Sequence, residues 1–177
     1  AGSNPVAPTK KSDARRAVVF LMLMIVCAAA CRPRQAEESR EISFDKRVVR
    51  VLRQKSAPVS LTVEIADTNA KRERGLMYRT RVGDGEGMLF LFPKARVMTM
   101  WMANTPVSLD MLFIAKNGKI DEIFESAVPF SRDVIYSSRK VSGVLELKAG
   151  EAARLGIKVG DTVEHSFFKL ENQSSTR

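Results

Sequence analysis

Residues 107–126 read VSLDMLFIAKNGKIDEIFES, and this stretch decides the class of the fold. Val107–Lys116 reads as a long strand, apolar at both parities, as a strand covered on both faces is. Asn117-Gly118 follows, and it is the strongest short hairpin signal. Lys119–Ser126 is the returning strand.

The same punctuation continues in both directions. Upstream, Pro58–Ala66 alternates cleanly, with Val59, Leu61, Val63 and Ile65 on one side and Ser60, Thr62 and Glu64 on the other. Val48–Lys55 is a candidate strand before it. Asp67 or Thr68 is placed to cap a short helix over Asn69–Leu76, which Gly75 should end. Gly83–Gly87 reads as a flexible hairpin loop; Asp84 and Glu86 are too few oxygen ligands for calcium, and no Lys-Ser or Lys-Thr follows for phosphate. Met88–Phe92 should stop at Pro93 and Arg96–Met102 at Asn104-Thr105-Pro106. Downstream, Pro129–Lys140 is expected as a long polar loop. Ser142–Leu147 is a strand, Gly150–Leu155 one helical turn, and Thr162–Phe168 a last strand. About seven or eight short strands with one or two short helices predict a mainly β domain, a compact jelly-roll-like sandwich or barrel.

The chain has 177 residues, 45% of them hydrophobic and 28% charged, which is globular composition. Two cysteines exclude a disulfide framework, and the single histidine, His165, excludes a multi-histidine metal centre. His165 reads as structural, with no nucleophile identified beside it and no Gly-x-Ser-x-Gly elbow in the chain. The expected organisation is a signal over 1–30, a basic linker over 31–55, a β-rich domain over 56–170 and a polar tail over 171–177.

The signal reading rests on Lys10, Lys11, Arg15 and Arg16 ahead of the apolar run Ala17–Ala30, which is too short to span a bilayer. Ala28-Ala29-Ala30-Cys31 resembles a lipobox, in which the Cys31 thiol takes a diacylglycerol; ordinary cleavage after the alanines is the alternative. An exported protein, periplasmic or anchored at the membrane by lipidated Cys31, is expected. The net charge of +9 divides as +3 over 1–30, +4 over 31–55 and +2 over 56–177. The excess therefore flanks the leader, where a basic tether suits anionic headgroups, and the domain has no basic stripe for nucleic acid.

Seven strings in order carry a family resemblance. They are Gly75-Leu76-Met77-Tyr78-Arg79, Gly87-Met88-Leu89-Phe90, Trp101-Met102-Ala103-Asn104-Thr105, Leu109-Asp110-Met111-Leu112-Phe113, Asn117-Gly118-Lys119-Ile120, Val144-Leu145-Glu146-Leu147 and Gly156-Ile157-Lys158-Val159-Gly160-Asp161. Together they resemble the domain-of-unknown-function family number 192, over about Val59 to Val163. The resemblance implies a compact β-rich, jelly-roll-like barrel, often exported, with no activity assigned. Ala103 departs from the longer, often basic residue usual there.

The residues themselves leave three readings open. The first is a binding or accessory module for a saccharide, another small polar ligand or a protein partner, with no cofactor. Arg79, Trp101, Asn104, Thr105 and Asp110 would form its surface, Trp101 stacking on a sugar face and Arg79 pairing with Asp110. Asp110 could equally accept hydrogen bonds from backbone N–H groups of the 104–106 loop. The second is a carboxylate hydrolase of envelope material using Asp110 and Glu146. The third is copper handling by the thioethers of Met98, Met100 and Met102, which alternate along one strand and also suit core packing.

Overall fold

The computed structural model describes residues 42–168. The leader, Cys31 and the polar tail lie outside the described residues. Seven strands and two short helices follow one another as β1 (Asp45–Leu52), β2 (Val59–Ala66), α1 (Asn69–Arg74), β3 (Glu86–Met100), β4 (Leu109–Ile114), β5 (Ile120–Ala127), β6 (Ile135–Lys148), α2 (Glu151–Arg154) and β7 (Thr162–Glu164). The strands form one sheet in the order β5-β4-β6-β3-β2-β1-β7. It curls into a half-barrel, and its two edges meet at one end, where Lys119 pairs with Thr162. The expected mainly β domain is therefore what folds, built as one curled sheet.

The alternation of each strand produces two cores. All seven strands send residues to the inside of the curl, among them Val51, Val63, Leu89, Leu112, Ile120, Leu145 and Val163, and Phe168 packs there too. The outer face of β3, β4 and β6 is a second core of Met88, Phe90, Met98, Met111, Phe113 and Val144, joined by Leu76 after α1 and Met102 after β3. The middle of the sheet is buried on both faces, so all six residues of β4 are buried. That is the physical reason for its apolar run at both parities.

Several local expectations shift. β1 starts at Asp45, within the stretch read as basic linker, because Asp45 to Val51 pair with β2. Helix α1 is capped as expected: Thr68 Oγ1 accepts from the Lys71 N–H at 3.2 Å, and Gly75 ends it at φ 47°. However, α1 is a crossover, and β2 and β3 run parallel. The Gly83–Gly87 loop is consequently no flexible hairpin. The Gly85 N–H donates to Glu151 at 2.6 Å, and Asp84 pairs with Lys148.

Pro93 does not end β3. It lies in an irregularity between Leu91 and Arg96, where a missing N–H is tolerated. The strand then continues to Met100 beside Ile135–Lys140, residues expected as loop. A second irregularity near Met98 is held by Ser137, whose Oγ accepts the Met98 N–H at 2.8 Å and donates to the Arg139 carbonyl at 2.7 Å. The last strand is short, Thr162–Glu164. His165 lies just beyond it; its Nδ1 accepts from the Phe167 N–H at 3.2 Å, and burial with Arg47 nearby lowers its pKa.

Gly87 locks β3 against β6. A Cβ there would collide with the Glu146 carbonyl oxygen and lie 2.8 Å from the Leu147 side chain. Backbone cannot yield as a flexible side chain can, so Gly87→Ala should destabilise the fold by about 3 kcal/mol or more in chemical denaturation.

Candidate ligand-binding cavity

The outer core is not filled. A cavity of about 230 Å³ lies between α1, the second half of β3 and the loop that follows it. Its walls include Leu76, Phe90, Phe92, Met98, Met102 and Leu109. Glu146 of β6 also lines it and is only 4% exposed.

Strand register explains how a glutamate comes to be there. Glu146 lies opposite Met88 of β3 and Met111 of β4. Its position in Val144-Leu145-Glu146-Leu147 sends it to the outer core with Val144, while Leu145 and Leu147 face the inner one. No described group hydrogen-bonds or ion-pairs with its carboxyl. Every fully enclosed side-chain polar atom among the described residues has a partner, so the carboxyl oxygens open onto the cavity. Burial pushes the carboxyl from 4.5 up to about 8, so Glu146 holds its proton at neutral pH.

The mouth has the opposite character. Arg72, Arg74 and Arg96 line the cavity together with Glu73. Arg72 is fixed by the carbonyls of Asp67 and Leu91, each at 2.7 Å, and by Asn69 Oδ1 at 2.6 Å. Arg74 sits over the Tyr78 ring at 4.8 Å and Arg96 over the Phe92 ring at 5.8 Å. Neither has a carboxylate partner among the described residues.

Beside the mouth, three loops are tied together. The Tyr78 N–H donates to the Asn104 carbonyl at 2.8 Å, Phe130 N–H to Thr105 at 3.1 Å, and Met102 N–H to Ser131 at 3.1 Å. Tyr78, Asn104 and Phe130 all take positive φ, at 64°, 56° and 58°. Such strain persists only where surrounding contacts hold it, and it clusters at functional sites. The aromatic rings of Tyr78, Trp101 and Phe130 are exposed here, Trp101 at 49%.

The residues singled out from the sequence divide accordingly. Trp101 and Thr105 line the cavity; Arg79, Asn104 and Asp110 do not. Arg79 pairs with Glu64 at 2.7 Å, not with Asp110. Asn104 is exposed, its amide 3.9 Å from the Met77 sulfur. Asp110 is 1% exposed and accepts from the Ser126 N–H at 3.0 Å and the Ala152 N–H at 3.2 Å. The carboxylate is thus backbone-bound as one reading expected, but to β5 and α2 in place of the 104–106 loop.

Asp110 pairs in register with Leu147, an inner-core residue, whereas Glu146 lies on the outer face. The two carboxyls therefore point to opposite sides of the sheet and share no site. Met98, Met100 and Met102 do converge on the cavity, Met98 and Met102 as buried members of the outer core. No group of three or more His, Cys, Asp or Glu that could hold a metal occurs among the described residues. The arginines of the mouth left no local signal in the sequence, because only the crossover packs the α1 arginines beside the second half of β3. Glu146 did leave a signal, as a lone carboxylate in an apolar alternation.

Comparison with known proteins places the chain among uncharacterised relatives. It resembles a solved protein of Sinorhizobium meliloti 1021, described as a candidate transcription regulator, at 47% identity and a TM-score of 0.68, over 70% of this chain and 96% of that one. A protein of unknown function from Novosphingobium aromaticivorans DSM 12444 is similar at 34% identity and a TM-score of 0.65, over 71% of this chain and 94% of that one. No curated protein matches. Residues 50–165 match the family described as Uncharacterized ACR, COG1430, and the chain therefore belongs to the DUF192 family.

Proposed function

We infer that this protein is an exported, lipid-anchored binding module of the bacterial envelope, and that it takes a small organic molecule into the cavity below Trp101. Glu146 carries the reading. A buried carboxyl without a protein partner is costly, and a ligand that hydrogen-bonds it recovers that cost. The apolar walls favour a ligand with an apolar body and few polar groups. A saccharide surface needed Arg79, Asn104 and Asp110 beside Trp101, and those three side chains are engaged or placed elsewhere. The leader motif ending at Cys31 supports the address.

Both halves are open to test. Purified chain incubated with envelope extract, washed and measured by native mass spectrometry should retain a small molecule. Met100→Trp should abolish retention: Met100 lines the cavity and is only half-buried, so the larger ring can block the space without disrupting the core. Equal retention by both proteins places the ligand elsewhere. In cells, Cys31→Ser should remove the diacylglycerol mass and release the protein from the membrane fraction. An unchanged mass would end the lipoprotein reading.

A further inference from the structure

The chemistry of the cavity is graded from mouth to floor, and this narrows its ligand. Resting on the pocket reading above, we propose that the occupant is a small aryl carboxylate bearing a hydroxyl at the end remote from the carboxylate.

The mouth presents three guanidinium groups against one exposed carboxylate, Glu73. Arg74 and Arg96 are exposed and lack carboxylate partners among the described residues, so an incoming anion meets free donors. A planar guanidinium matches a carboxylate by two parallel hydrogen bonds. Further in, the walls are Phe90, Phe92, Met98 and Met102. Rings and thioethers favour an aromatic body, since sulfur sits well against a ring edge. At the floor only Glu146 offers hydrogen bonds from a titratable group. With its proton held by burial, it has one O–H to donate and a carbonyl oxygen to accept. A hydroxyl is the group that satisfies both. A second carboxylate at that depth would be buried without a cation. An ammonium would have to pass three arginines.

Calorimetry on the full chain with four probes separates these parts: 4-hydroxyphenylacetate, phenylacetate, tyrosol and tyramine. The first should bind best. Removing the hydroxyl (phenylacetate) or replacing the carboxylate by an alcohol (tyrosol) should each weaken binding about tenfold, the worth of one buried hydrogen bond or a partly exposed charge pair. Arg96→Gln should weaken 4-hydroxyphenylacetate and leave tyrosol unchanged. Glu146→Leu should erase the difference between 4-hydroxyphenylacetate and phenylacetate. Tyrosol binding as tightly as the acid, or tyramine binding more tightly, overturns the proposal. If no probe binds while the native protein retains an extract molecule that Met100→Trp loses, the ligand class is wrong and the pocket reading stands. If neither is seen, both fail.

Discussion

Glu146→Gln should make the protein more stable than the wild type at high pH and leave it equally stable at low pH. The cause is the position of Glu146 at the cavity floor, where burial raises its carboxyl from 4.5 to about 8. At about pH 4 the group carries its proton in both the folded and the unfolded chain, and a neutral carboxyl and an amide are close in shape. As pH rises past 4.5, the unfolded chain releases the proton but the folded one keeps it. Unfolding then releases a proton, so stability falls with rising pH until the folded group itself ionises near pH 8. Above that the loss is complete, and the shift corresponds to on the order of 5 kcal/mol. The glutamine variant escapes this loss. Urea unfolding of both proteins between about pH 4 and pH 9 should show the two curves diverging through that window. A constant offset at every pH would show that Glu146 does not hold its proton in the fold.

Asp110→Ala should cost about 3 kcal/mol, and the loss should appear locally before it appears globally. The pairing of β4 with β5 slips between Leu109 and Met111, where Ser126 takes a positive φ of 53°. The Asp110 carboxylate satisfies the Ser126 N–H at that irregularity and, with its other oxygen, the Ala152 N–H of α2. Removing it leaves the buried Ala152 N–H without an acceptor, worth about 1–3 kcal/mol, and leaves the part-buried Ser126 N–H to water at a further, smaller cost. Asp110→Asn keeps one acceptor oxygen and should lose about half as much. Hydrogen exchange should find the amides of Ser126 and Ala152 exchanging faster in Asp110→Ala while those of the β3–β6 centre stay protected. Ligand retention should survive under conditions where the variant is folded, because Asp110 faces the inner core and the cavity opens on the outer one. Loss of retention in a folded Asp110→Ala protein would tie Asp110 to the site after all.

Much of the β architecture was legible because its signals are local. The Asn117-Gly118 turn, the alternation of Val59 to Ile65 and the Thr68-to-Gly75 helix all depend on residues within one turn or one strand. Pro93 and the polar run before Val141 misled for the same reason. A proline ends an isolated strand, but here it falls in an irregularity of a long one. Residues 135–140 look like loop until β3 pairs with them. Of the readings open for Asp110, the backbone-bonded one matches its geometry, but its partners lie 16 and 42 residues away and not in the 104–106 loop. Nothing nearby in the chain identifies them.

The sequence by itself determined the class of fold, the family and the residue types that alternation sends inward, since period-two patterning and turn chemistry act over a few residues. Only the tertiary structure decided which carboxylate matters at a site. The parallel crossover through α1 sets Arg72 and Arg74 over β3, and the β3–β6 register turns Glu146 toward them. One residue of slip would have sent that glutamate into the inner core. A cavity is a property of elements distant in the chain that fail to fill the space between them, and no short stretch of sequence records it.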